Sequence, residues 1–129
     1  GGRYQDRQVL APSSLQAMFS PQWVYDGHNG DTCGQTLLTY GLSEFFVDGT
    51  GPARCCRTKA VDLWGHTGQA FGLLSGLFVR PGTGSGFAYV MNGEALAEDD
   101  DPRSAGRFSR NYIWEENVMD GLCRLIDGL

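Results

Sequence analysis

The sequence predicts an α+β fold, an antiparallel sheet of about three to five strands with a C-terminal helix packed on one face. Three observations carry this expectation. Residues 73–79 (LLSGLFV) and 86–91 (GFAYVM) are short apolar runs with β-branched and aromatic content, joined by the turn chemistry of Pro81-Gly82-Thr83-Gly84, which reads as a hairpin. Ile113, Trp114, Val118, Leu122, Leu125 and Ile126 recur at the spacing of an amphipathic helix, and Met119 and Cys123 widen that stripe. Nineteen glycines in 129 residues favour tight turns and close backbone packing over long helices.

Taken in order, a polar opening holds the small apolar patch Val9-Leu10-Ala11. Pro12-Ser13-Ser14-Leu15 then reads as a helix start with a serine N-cap, and Leu15, Met18 and Phe19 supply its apolar side before Ser20-Pro21 ends it. Residues 22–36 form a Gly-rich loop carrying Trp23, Tyr25 and His28. Leu37 to Val47 contains a strand apolar on both faces, as a buried strand should be. A turn-rich loop from Asp48 to Lys59 leads to a third strand, Ala60 to His66, and on into the hairpin. The acidic run Glu98-Asp99-Asp100-Asp101 lacks the glycine and distal glutamate of a calcium loop and reads as solvated loop. Ser109 or Asn111 caps the last helix, whose Glu115, Glu116 and Asp120 sit in the half where the helix dipole favours acids.

Composition bounds the function. The chain suits one domain, 1–129, with 41% hydrophobic residues to build a core. Ten Lys and Arg against fifteen Asp and Glu give a net charge of −5, so no basic patch invites nucleic acid. No apolar run reaches the roughly 18 residues of a membrane span. Two histidines without helical pairing do not make a metal site, and no cofactor is expected. His28 reads as an exposed loop residue, and Trp23, Trp64 and Trp114 as core aromatics before pocket aromatics.

The chemistry concentrates at His66-Thr67-Gly68, just before the hairpin. On a sheet edge, Gly68 lets a ligand approach the backbone, Thr67 offers a hydroxyl, and His66 offers a ring that titrates near neutral pH. The plain alternative is a histidine satisfying a strand end and a glycine at a bulge.

The same stretch, Leu63 to Gly93, resembles the third motif and last strands of the serine β-lactamase, penicillin-binding protein and family VIII esterase superfamily. In that superfamily a Lys-Thr-Gly or His-Thr-Gly strand precedes a hairpin ending in Asn-Gly, here Asn92-Gly93. Gly1 to Trp23, with its Gly-Gly, short hairpin, helix ending in Met and Pro-Gln, is similar to the superfamily's preceding segment, and Tyr40-Gly41-Leu42 to its Tyr-Gly-Leu strand.

The resemblance implies the C-terminal half of a β-lactamase-like α/β domain, acting on esters, D-amino-acid peptides or β-lactams. It implies that His66, Thr67, Gly68 and Gln69 are catalytic, with the Gln69 N–H as half of an oxyanion hole, and that Trp64 and Gly65 contact substrate. Histidine in place of lysine at position 66 leans toward esterase or D-aminopeptidase-like members. The superfamily's Ser-x-x-Lys is absent: the only lysine is Lys59, preceded three residues earlier by Cys56. Tyr-x-Asn or Ser-x-Asn is also missing ahead of His66, and Ser109-Arg110-Asn111 comes after the hairpin. Acyl transfer would therefore need a partner portion carrying Ser-x-x-Lys. The alternative is a non-catalytic module using a sheet edge for a peptide, a protein or a second copy.

Cys33, Cys55, Cys56 and Cys123 contain no Cys-x-x-Cys. A bond from Cys33 to Cys55 or Cys56 would close a short loop, and buried free thiols are the other reading. Adjacent Cys55 and Cys56 are poorly placed to bond each other. Cysteine as a nucleophile has no neighbouring histidine in sequence to support it. A disulfide would fit an oxidising compartment, which with the resemblance favours a periplasmic or secreted location over the cytoplasm.

Overall fold

A computed structural model describes residues 1–33, 36–51, 54–93 and 113–128, without the side chains of Trp114 and Asp127. The acidic run at 98–101 and the proposed caps Ser109 and Asn111 lie outside the described residues. The elements are β1 (Arg3–Tyr4), β2 (Arg7–Gln8), α1 (Pro12–Met18), β3 (Trp23–Val24), β4 (Thr39–Tyr40), β5 (Phe45–Val47), β6 (Leu63–Ala70), β7 (Leu73–Arg80), β8 (Ser85–Asn92) and α2 (Ile113–Asp127).

The fold is α+β, as expected, but the main sheet has six strands rather than three to five. Its order is β3-β4-β5-β6-β7-β8, antiparallel throughout, and β1 with β2 forms a separate small hairpin. The additional strands come from short pieces. The expected strand over 37–47 splits into β4 and β5 because Ser43 takes a positive φ of 75° and the Gly41 N–H donates to the Glu44 carbonyl, folding the chain back. Trp23 and Val24 then pair with Tyr40 and Thr39. At the other end, β6 runs on past His66 to Ala70 because every residue from Trp64 onward finds a partner on β7.

The hairpin of β7 and β8 forms where the two apolar runs predicted it. Directly paired residues share a face of the sheet. One face, with Phe45, Val47, Leu63, Phe78, Phe87 and Tyr89, packs against Met119, Cys123 and Ile126 of α2 in the core. The other face carries Trp64, whose ring meets Phe19 and Phe46 at centroid distances of 6.2 and 5.2 Å. Further along that face Leu77 and Val90 remain 61% and 70% exposed.

Two helix expectations need correction. The α1 N-cap is Ala11, with no side-chain bond, and Pro12 opens the helix at a position where the N–H that proline lacks would have had no partner in the helix. On α2 the buried face is Glu115, Met119, Cys123 and Ile126, whereas Ile113, Val118 and Leu125 point outward. Met119, Leu122, Cys123 and Ile126 of the expected stripe thus pack on the core, and its other described apolar side chains lie to the exposed side.

The disulfide is also re-assigned. Cys56 pairs with Cys123 across a Cα–Cα distance of 5.6 Å, and Cys33 and Cys55 are free thiols. A bond from Cys33 would close the shorter loop, but the fold brings the loop before β6 against α2 instead. The same contact is held by the Arg57 N–H donating 2.8 Å to Asp120, with the Arg57 and Arg124 guanidiniums paired to the same nearly buried carboxylate.

Candidate functional site

The candidate site lies where β6 outruns its neighbour. β5 pairs with β6 only at Leu63, Trp64 and Gly65, whereas β7 pairs with β6 as far as Ala70. Among the described residues no strand flanks 66–70 on the β5 side, so His66, Thr67, Gly68 and Gln69 form an overhang of the sheet. Its backbone is straight because Gly68 pairs regularly with Ser75, so the glycine does not mark a bulge. The space above Gly68 is limited mainly by one small side chain: a Cβ there would meet Ser75 Oγ at 2.8 Å.

His66 is exposed. It stands edge-on to Phe45 and Tyr40, with centroids 5.7 and 6.0 Å away. Its Nδ1 faces the Thr67 carbonyl, an acceptor, so Nδ1 carries a proton and Nε2 is the ring nitrogen left for a ligand. Glu44, in the β4–β5 turn, completes a polar group with Tyr40 and His66. Burial raises the Glu44 carboxyl above its usual range, partly offset by its own backbone N–H and by attraction to His66. One of its oxygens is buried with no hydrogen-bond partner. Burial, then the Glu44 charge, raises the Tyr40 hydroxyl as well. This carboxyl–phenol–imidazole grouping was not foreseen from sequence, because the β4–β5 turn that creates it was read as continuous strand.

Trp64 and Gly65, expected at a substrate, have packing roles in the structure. Trp64 is 7% exposed between Phe19 and Phe46, and a Cβ on Gly65 would lie 2.1 Å from the Leu77 carbonyl oxygen.

Beside Tyr40 opens a cleft of about 380 Å³ lined by Trp23, Asn29, Gly30, Asp31, Leu37 and Tyr40. Its outer wall is the 25–31 loop. Asp26 Oδ1 accepts the His28 and Asn29 N–H groups at 3.0 Å, Asn29 Nδ2 donates to the Val24 carbonyl at 2.9 Å, and the Tyr25 hydroxyl donates to the Gly27 carbonyl at 2.6 Å. His28 thus sits in a loop turn beside Asp26, exposed, as the sequence suggested.

A second polar grouping lies in the core. Glu115 is 1% exposed; Tyr89 donates its hydroxyl to Oε1 at 2.7 Å, and Oε2 has no hydrogen-bond partner. Burial pushes the neighbouring Cys55 thiol up to about 12, with the Asp120 and Glu116 charges adding to it, so Cys55 is a poor thiolate and not a nucleophile at neutral pH. Among the described residues no group of histidine, cysteine and acidic side chains could hold a metal ion, and no helix is long and apolar enough to cross a membrane. No family model matches the chain, and neither does any curated protein or solved structure.

Proposed function

We propose that this chain is the portion of a β-lactamase-like serine hydrolase that supplies the His-Thr-Gly strand, and that its substrates are esters, D-amino-acid peptides or β-lactams. The observation that carries this reading is the overhang: residues 66–70 project past β5 with the His66 ring beside Tyr40 and Glu44. An acylating serine presented to this edge would find a histidine acceptor, a hydroxyl and strand N–H groups within one short segment. The nucleophile comes from a Ser-x-x-Lys segment of another stretch of polypeptide. The open face around Leu77 and Val90 is apolar surface that such a partner would cover. The buried Cys56–Cys123 disulfide is compatible with a periplasmic or secreted location.

The test is native mass with a fluorogenic ester assay on purified material. A co-purifying polypeptide bearing Ser-x-x-Lys, together with turnover, is the expected result. In that complex His66→Ala should lower kcat by about 100-fold or more while the melting temperature stays unchanged, the usual scale for a positioned proton-transfer or hydrogen-bonding group. Unchanged turnover would remove His66 from the chemistry. The same open face favours a second reading, a binding module without catalysis. A lone 14.1 kDa species lacking turnover would select it.

A further inference from the structure

We infer that the cleft beside Tyr40 is a subsite for a small ligand that joins an aromatic or apolar body to a protonated amine. Its size, about 380 Å³, falls within the range of small-molecule sites. Trp23 and Tyr40 provide ring faces, and Leu37 adds an apolar wall. Asp31 is the one charged residue among the described residues of the lining; it is exposed, and its Oδ1 accepts the Cys33 N–H at 2.8 Å, which fixes the carboxylate in place. With no cation among the described residues of the lining and a net charge of −5, an anionic ligand is repelled and an ammonium is attracted. The aromatic faces add cation–π attraction to the same group.

The site is built in advance rather than formed by a slack loop. The hydrogen bonds across Tyr25 to Asn29 hold the outer wall, and Gly30 lies so close to Trp23 that a Cβ there would sit 3.1 Å from the indole. Preformed walls lower the ordering cost of binding. Tyr40 joins this cleft to His66, its ring lining one and standing 6.0 Å from the other. An occupant would therefore lie next to the overhang. That it is part of the substrate rests on the hydrolase reading; that it binds does not.

The experiment uses the 129-residue chain in ¹H–¹⁵N spectra titrated with benzylamine, benzyl alcohol and phenylacetate. Benzylamine should shift the Trp23 indole N–H and the amides of residues 29–31 saturably. Benzyl alcohol should bind at least about fivefold more weakly and phenylacetate not measurably, the scale of one charge-assisted contact. Asp31→Asn, which keeps the acceptor for Cys33, should erase the preference for the amine with an unchanged melting temperature. Trp23→Leu should weaken benzylamine and benzyl alcohol, benzylamine the more because it also loses the cation–π contact. Equal binding of the three probes, no shifts, or shifts confined to other residues would overturn the inference, whatever the ester assay shows. Saturable, amine-selective shifts in a chain with no completed hydrolase would sustain the subsite and leave the reaction reading to its own test.

Discussion

Gly65 and Gly68 stand three residues apart on one strand and do different work. At Gly65 a Cβ would collide with backbone, the Leu77 carbonyl at 2.1 Å, and nothing there can rotate away. Gly65→Ala should cost about 1–3 kcal/mol or more by overpacking. At Gly68 the only near atom among the described residues is Ser75 Oγ, which can turn aside, so Gly68→Ala should change stability by less than about 1 kcal/mol while narrowing the approach to the overhang. Urea unfolding of the two variants checks this; equal losses would mean that Gly68 too is held by packing. The core residue Cys55 gives a pH prediction. Its folded value is raised from 9.0 to about 12, so the folded thiol keeps its proton after the unfolded one has lost it. Stability is then full below about pH 9 and falls as pH rises toward 12, by up to about 1.4 kcal/mol per unit. Cys55→Ala should flatten the fall between pH 9 and 10 in a thermal-melt series, before the Tyr89 hydroxyl, also raised by burial, adds its own loss. An identical slope in the variant would exclude the thiol as its cause.

At the scale of elements, the β7–β8 hairpin was legible because length, composition and turn residues all agreed. What the chain did not reveal depended on tertiary distance. Pairing along β7 carries β6 through Gly68, a residue with little strand signal of its own. Glu115 reads as an acid in the helix half where the dipole favours it, and only the approach of Tyr89 explains its burial. Helical periodicity identified α2 correctly but could not choose between two adjacent stripes, because Leu125 and Met119 are equally apolar letters. Cysteine spacing likewise could not rank Cys123 above Cys33. The Cys56–Cys123 bond spans 67 residues, and in the chain-entropy view such a closure is worth about 4 kcal/mol. Reduction, or Cys56→Ser with Cys123→Ser, should lower the urea midpoint accordingly. No shift would show that the two cysteines are not joined.

For the whole molecule, the sheet divides labour between its faces. One is closed by α2 and holds the core; among the described residues the other is closed by α1 and Phe19 only near Trp64, with Leu77 and Val90 exposed. A hydrolase portion and a binding module would both be expected to cover that surface, which is why the decisive observations are turnover and the company the chain keeps. The His66 effect and the amine preference are read at different places, β6 and the 25–31 loop, so either can fail alone.

Strand order in the main sheet follows chain order from β3 to β8, and that has a consequence for how the molecule assembles. Each strand can be added by closing a modest loop onto the one before it, the arrangement that favours quick folding. The helix joins differently, through a covalent link to the loop ahead of β6 on the side of the sheet away from Trp64. A chain kept reduced should therefore build the His66 strand early and seat α2 late, with oxidation acting as a latch on an arrangement already made. In the reduced form, amide-exchange protection should persist along β6 and β7 after it has fallen in α2.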